Sequence, residues 1–213
     1  MISNEILAGI YCSSKYEEMC NAYSDINEHL PTLSKYASEC KSIIEFGVRD
    51  SIASWAFING LLESDETNKK FFLNISSKCD IEEFLYKTQY SDIKINYEWI
   101  NNLKLIITES YDLTFIDTWH IYGQLARELD KFSKITNKYI IMHDTTIDEW
   151  EGESVRLGNN INQRSKDSGF SIEEIAKGLW PAITDFLSTN LDWELHERFT
   201  NNNGLTILKK KID

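Results

Sequence analysis

Short apolar runs recur between residues 42 and 144 with helical patterns between them, and this rhythm leaves few folds open. SIIEFG (42–47), KKFFLNI (69–75), IKINYEW (93–99), YDLTFID (111–117) and KYIIMHD (138–144) have the length and apolar or alternating character of strands. IASWAFINGLLES follows Ser51, a candidate helix cap, and is apolar on most faces, so a buried helix is expected there. DIEEFLYK carries Asp80 and Glu83 at the spacing of a capping box. Ile121, Leu125, Leu129 and Phe132 mark one face of a further helix. Strands alternating with helices imply βαβ units, a mainly parallel sheet and right-handed crossovers. Runs such as SIIEF and YIIM suit strands covered on both faces.

The ends of the chain depart from that rhythm. The first 40 residues read as helical, with Leu30, Leu33 and Ala37 at helical spacing around Pro31. An N-terminal helical segment (1–40) ahead of one α/β domain (41–213) is therefore expected. The polar stretch 145–170 is too long for an ordinary connection and implies either a functional lid or disorder. Ser171 and Glu174 form a second capping box, followed by Ile172, Ile175, Leu179, Ile183 and Phe186 at core spacing, with a break or kink expected at Pro181, which sits where a helix could begin. WELHERFT and LTILKK, joined by NNNG, read as an antiparallel hairpin. Five β/α units closed by a hairpin is not the plain six-stranded dinucleotide fold.

Composition narrows the function classes. A net charge of −12 argues against nucleic acid as partner, because phosphate binding needs a basic face. No run approaches the ~18 apolar residues of a membrane span. The first residues lack the basic-then-apolar order of a signal peptide, so a soluble cytoplasmic protein is expected. The four cysteines form no CxxC pair and read as reduced structural thiols.

In an open parallel sheet, ligands bind beyond the carboxyl ends of the strands. Glu45 and Gly47 end the first strand, Asp117 the fourth, and His143 with Asp144 the fifth. A sheet interior does not tolerate unpaired charge, so these acids belong at tips that face solvent, a ligand or a metal. Asp117, His143 and Asp144 offer hard oxygen ligands and an imidazole to a Mg²⁺-like ion; taken singly, each also suits a cap or a surface turn. His120, three residues beyond Asp117, has the titration range of a general base, with a capping or surface histidine as the alternative. Trp119, Tyr122 and Trp150 are aromatics close to these tips on which a sugar ring could stack, or else core residues. Trp150 and Arg156 lie in the candidate lid.

On these residues the chain resembles the class I S-adenosylmethionine-dependent methyltransferases, from about residue 28 to the end. The resemblance implies a Rossmann-like α/β fold, a seven-stranded mainly parallel sheet of order 3-2-1-4-5-7-6 with helices on both faces and a C-terminal antiparallel hairpin. IIEFGVRDS is similar to the family's first motif, with Arg49 and Ser51 where later glycines are usual. The implied cofactor contacts are Glu45, Gly47, Arg49 and Ser51, together with Asn74 and Ile75 at the end of the second strand, where an acid usually holds the ribose hydroxyls. FIDTWH and IIMHDTT resemble the metal-dependent sugar O-methyltransferases, including the macrolide sugar O-methyltransferase and cephalosporin-hydroxylase-like proteins. That match implies Mg²⁺ or Mn²⁺ on Asp117, His143 and Asp144, His120 as base, and Trp119, Tyr122, Trp150 and Arg156 toward a sugar or glycan acceptor. Neither membrane nor nucleic acid is an expected partner, and a homo-oligomer is compatible with the resemblance. A catechol-type O-methyltransferase and a non-catalytic cofactor-binding module of the same fold are the alternatives. A nicotinamide dehydrogenase fits less well, because GxGxxG is missing and the chain ends in a hairpin.

Overall fold

In the computed structural model, which describes residues 3–75 and 81–211, seven strands form one sheet in the order β3-β2-β1-β4-β5-β7-β6. The strands are β1 (Ser42–Phe46), β2 (Lys70–Ile75), β3 (Lys94–Trp99), β4 (Tyr111–Ile116), β5 (Thr136–His143), β6 (Trp193–Phe199) and β7 (Leu205–Lys210). Every strand expected from the sequence is present, and the order matches the one implied by the resemblance. The chain divides into two compact units between Phe115 and Ile116.

The first unit opens with α1 (Asn4–Asn21), a short 3-10 turn (Asn27–His29) and α2 (Leu30–Ser38), in whose first turn Pro31 sits. Proline is tolerated there because the first N–H groups of a helix have no intrahelical partner. α3 (Ile52–Glu63) buries every residue from Ala53 to Leu61, as its all-round apolar sequence demands. It packs on α1 and α2. Phe57 stacks on Phe71 and Phe115, and Phe84 of α4 (Glu82–Thr88) stacks on Trp55 and Phe71. β1 and β4 are buried throughout, as runs covered on both faces require. β1, β2 and β3 pair in parallel, with Phe46 opposite Asn74. Asp80 and Cys79 lie outside the described residues, and Ile81 precedes α4 without a side-chain cap.

In the second unit α5 (Tyr122–Phe132) buries Leu125, Leu129 and Phe132 and packs on α9 (Leu179–Thr189). β5 pairs antiparallel with β7, and β7 with β6, so the expected hairpin closes the sheet. Its turn needs Asn202, Asn203 and Gly204 because all three have positive φ (44°, 66° and 96°). Asparagine and glycine enter that region at least cost.

The stretch 145–170 is neither disordered nor a single loop: it holds α6 (Glu153–Arg156) and α7 (Ile161–Ser168). Ser171 and Glu174 make the expected capping box at α8 (Ile172–Ala176). The expected break at Pro181 falls earlier, at Lys177–Gly178, and Pro181 lies in the first turn of α9. Gly178 breaks the helix because its backbone is extended (φ −79°, ψ −169°) and lies against residues 148–149.

Candidate functional site

The cofactor-side residues read from the sequence lie in the first unit. Glu45 is buried and accepts a hydrogen bond from Ser54 Oγ at 2.7 Å, so its carboxylate is turned toward α3. Gly47 has φ 94° and, with Val48, donates its backbone N–H to Asn74 O (3.3 Å each). Ser51 does not cap α3 with its side chain. Its φ of 58° is left-handed, its main-chain oxygen accepts from Trp55 N, and its buried Oγ has no partner among the described residues. Arg49 turns outward to Asp25 at 3.5 Å. Asn74 is fully buried and donates from Nδ2 to Ile100 O at 2.9 Å, while its Oδ1 has no partner among the described residues. Buried polar atoms without partners are costly and mark where a ligand could bond. Ser51 Oγ and Asn74 Oδ1 therefore fit a ligand rich in hydroxyl or amine donors, as a nucleoside bearing an amino acid would be. Ile75 is buried at the end of β2.

The second unit gathers the titratable residues. Asp117 follows β4, while His143 ends β5 and Asp144 follows it. His120 Nε2 lies 3.0 Å from Asp117 Oδ1 and 3.1 Å from Asp144 Oδ2. His143 Nδ1 lies 3.2 Å from Asp144 Oδ2 and 3.8 Å from Asp117 Oδ2, and its Nε2 faces Asn202 O at 3.2 Å. The hairpin turn also takes Thr146 N and Ile147 N onto Asn203 O, which anchors the chain just beyond Asp144. Asp144 itself has φ 59°. A left-handed non-glycine residue costs on the order of 1–3 kcal/mol and persists where the surroundings enforce it, often at functional sites.

A fifth residue, Asp148, joins the cluster and was missed in the sequence. Its side chain is fully buried, with Oδ2 3.2 Å from His120 Nδ1, off the direction of a well-formed hydrogen bond. Arg156 grips it from the other side, Nε to Oδ1 at 2.5 Å and Nη2 to Oδ2 at 3.0 Å. The one signal available was its place four residues beyond Asp144 in an otherwise polar stretch.

Burial alone would raise the Asp117 carboxyl, but hydrogen bonds with His120 and His143 hold it well below the usual carboxylate range. Burial would likewise lower both imidazoles. Asp117 and Asp148 outweigh it at His120, whose pKa stands well above the ordinary histidine value. Asp117 and Asp144 outweigh it at His143, pushed up to about 10. Burial would raise Asp148, and hydrogen bonds from His120 and Arg156 keep it low.

The donor set fits a divalent cation. One ligand atom each from Asp117, His120 and Asp144 lies within 4.8 Å of the others, and oxygen with imidazole nitrogen suits Mg²⁺ or Mn²⁺. His120 thus stands nearer the carboxylate pair than a base set apart from the ligands would.

The remaining candidates are spread along the wall of the unit. Trp119 donates from Nε1 to Ser154 Oγ at 3.1 Å and meets Phe170 edge-on, 5.6 Å between centroids. Tyr122 donates its hydroxyl to Asp185 at 3.0 Å. Trp150 is 65% exposed. Arg156 is engaged with Asp148. The segment carrying Trp150 is sewn down by main-chain bonds: Leu179 N to Asp148 O, Gly178 N to Trp150 O, Gly152 N to Ala176 O and Glu153 N to His120 O, 2.8–3.0 Å.

No protein-family model matches the chain, and no curated protein matches it by sequence. Solved structures do. A putative caffeoyl-CoA O-methyltransferase from Staphylococcus aureus superimposes with a TM-score of 0.58 at 14% identity, covering 99% of this chain and 93% of the other. The O-methyltransferase TomG from Streptomyces achromogenes, involved in tomaymycin synthesis and solved with S-adenosylmethionine, gives 0.55 at 10% identity, covering 95% and 89%. The N-methyltransferase NodS from Bradyrhizobium japonicum, solved with S-adenosylhomocysteine, gives 0.54 at 13%, covering 93% and 98%. At such identities the likeness establishes the fold alone: the chain has the class I methyltransferase fold. Among the described residues no helix is long and apolar enough to cross a membrane.

Proposed function

We propose that the protein is an S-adenosylmethionine-dependent O-methyltransferase, assisted by a divalent cation, that methylates a hydroxyl of a sugar or glycan. The observation that carries the proposal is the Asp117–His120–Asp144 cluster beyond the ends of β4 and β5, where ligands bind in open α/β sheets, within a methyltransferase fold. Likeness to O- and N-methyltransferases alike leaves the acceptor atom open, and the cation-type donor set favours oxygen.

S-adenosylmethionine, when bound, supplies a methyl group on a sulfonium, and a divalent cation lowers the pKa of the accepting hydroxyl. Asp117 and Asp144 would hold the cation. His120 would take the hydroxyl proton on Nε2, the oxygen gaining the methyl group that the sulfur loses. Transfer is an in-line displacement, so alignment by fixed residues supplies much of the rate. The strained Asp144 and the main-chain bonds around residues 148–153 support such fixation. Buried Ser51 Oγ and Asn74 Oδ1 support cofactor contacts in the first unit. Of the three candidate aromatics, Trp119, Tyr122 and Trp150, Trp150 is the most exposed and so the best placed to stack on a sugar face.

Titration calorimetry with S-adenosylhomocysteine tests the cofactor, with saturable one-site binding expected; absence of binding would end the proposal. Labelled methyl transfer to glycans and to catechols, with and without chelator, tests the rest. Chelator-sensitive transfer to glycans is expected. Preference for catechols would move the protein to the catechol-type class, and cofactor binding with no transfer to any acceptor would favour a binding module.

A further inference from the structure

We infer that β3 is a docking edge for a second copy of this chain, the two β3 strands pairing antiparallel about a two-fold axis at Asn96. The inference is independent of the proposed chemistry and involves no residue of the candidate site.

β3 ends the sheet, and among the described residues β2 is its one strand neighbour. Lys94 N–H donates to Lys69 O at 2.9 Å, which turns the main-chain groups of Lys94 toward β2. Main-chain direction alternates along a strand, so Asn96 and Glu98 also turn to β2, whereas Ile95 and Tyr97 present N–H and C=O to the open edge. An open edge is a template for another strand, and native chains blunt it with proline, bulges or a covering segment. β3 has no proline and pairs with β2 in unbroken register from Lys94 to Trp99. Lys94, Asn96 and Glu98 are exposed, as are Tyr97 (53%) and Trp99 (63%). The connection to β4 holds a 3-10 turn (Asn102–Lys104) where a parallel crossover usually carries a helix, so Asn96 and Glu98 border an open groove.

What fits this edge can be read from its own sequence, KINYEW. An antiparallel copy is allowed only where outward-facing residues meet outward-facing ones. With the axis at Asn96, Ile95 of each copy meets Tyr97 of the other and exchanges both main-chain bonds. Lys94 of each copy meets Glu98 of the other, and Asn96 meets itself. These last are non-hydrogen-bonded positions, where Cα atoms come to about 4.5 Å and side chains lie closest. Opposite charges and aromatic with β-branched residues are favourable cross-strand partners, and a side-chain amide can both donate to and accept from its own kind. Moving the axis to Tyr97 keeps the bonding pattern but sets Glu98 against Asn96 and leaves Lys94 opposite Ile100. Charge therefore selects the axis at Asn96. A two-fold contact uses one patch twice, and this patch is complementary to itself. The pairing is locally neutral, while the net charge of −12 on each chain is screened beyond about 8 Å at physiological ionic strength.

Sedimentation velocity of the full chain over a dilution series at physiological ionic strength reads the association, and charge reversal reads the register. The wild type is expected to dimerise reversibly. Lys94→Glu and Glu98→Lys each set like charges opposite one another and should weaken the dimer on the order of tenfold. Mixed in equal amounts, the two variants should form a heterodimer of wild-type affinity, because each then meets the opposite charge. Both residues are exposed, so the Tm of each variant should match the wild type. Hydrogen exchange adds a readout that needs no variant: the Ile95 and Tyr97 amides of the wild type should be protected in concentrated protein and exchange freely on dilution. A wild type monomeric throughout the series would overturn the inference. So would single variants that dimerise as the wild type does, a mixture no tighter than its components, or Ile95 and Tyr97 amides indifferent to concentration.

Discussion

Replacing Gly178 by alanine should damage the site from outside it. The glycine has ordinary backbone angles (φ −79°, ψ −169°), so alanine meets no conformational penalty there. The added Cβ, however, would stand 2.3 Å from Asp148 O and 2.6 Å from both the carbonyl carbon and oxygen of Glu149. All three are backbone atoms, so no flexible side chain can yield. Ordinary contact begins at 3.4 Å, and the segment must retreat by 3.4 − 2.3 = 1.1 Å. That retreat carries Asp148 away from His120, 3.2 Å distant, and strains the Leu179 N to Asp148 O bond of 2.8 Å. Overpacking of this kind costs about 1–3 kcal/mol. For a chain of this size each kcal/mol lowers Tm by roughly 2–4 °C. A misplacement near 1 Å costs on the order of 10² in rate. Urea unfolding, scanning calorimetry and a methyl-transfer rate read the three consequences. Wild-type Tm together with the wild-type transfer rate in Gly178→Ala would show that the close approach does not fix Asp148, and the reasoning would be refuted.

Other perturbations separate structure from chemistry. Gly9→Ala, in α1 with no atom within 4 Å of the new Cβ, should stabilise by about 1 kcal/mol in urea unfolding. Ser171→Ala removes the capping-box bond that Ser171 Oγ accepts from Glu174 N at 3.1 Å, keeps the backbone bond to the Glu174 carboxylate, and should cost about 1 kcal/mol in the same assay. Trp150→Ala should leave stability within about 0.5 kcal/mol and raise KM for a glycan acceptor several-fold. His143 has a raised pKa in the folded chain, so its stabilisation is complete below its unfolded value of about 6.5. It is lost as pH rises toward about 10. The Tm difference between metal-free wild type and His143→Gln should therefore shrink over that window; a constant difference would remove the ion-pair account of His143.

The sheet was legible because each strand is a short apolar run, and the tip residues because charge at the end of such a run needs a partner. Asp117, His143 and Asp144 were found that way, and the structure places them with His120. Asp148 escaped because nothing local marks it: its burial depends on Gly178, thirty residues on, and on Arg156 reaching back from α6. The same approach explains the misplaced helix break. Proline disrupts a helix interior but not its first turn, and here the extended glycine three residues earlier ended α8 first. Ser51 looked like a cap because its residue type and position were right; its left-handed backbone turns the hydroxyl away from that role. A polar composition left disorder open as one reading of 145–170, whereas main-chain bonds, invisible in side-chain patterns, order the part that carries Asp148 and Trp150.

The central claim is that Asp117 and Asp144 hold a divalent cation in a chain that also binds a methyl-donor cofactor. Calorimetric titration of Mn²⁺ into protein saturated with S-adenosylhomocysteine addresses it directly, with Asp117→Asn and Asp144→Asn as the comparison. One saturable site in the wild type, weakened at least tenfold in each variant that still binds S-adenosylhomocysteine, is the predicted result. No binding, or equal affinity in all three proteins, would contradict the account.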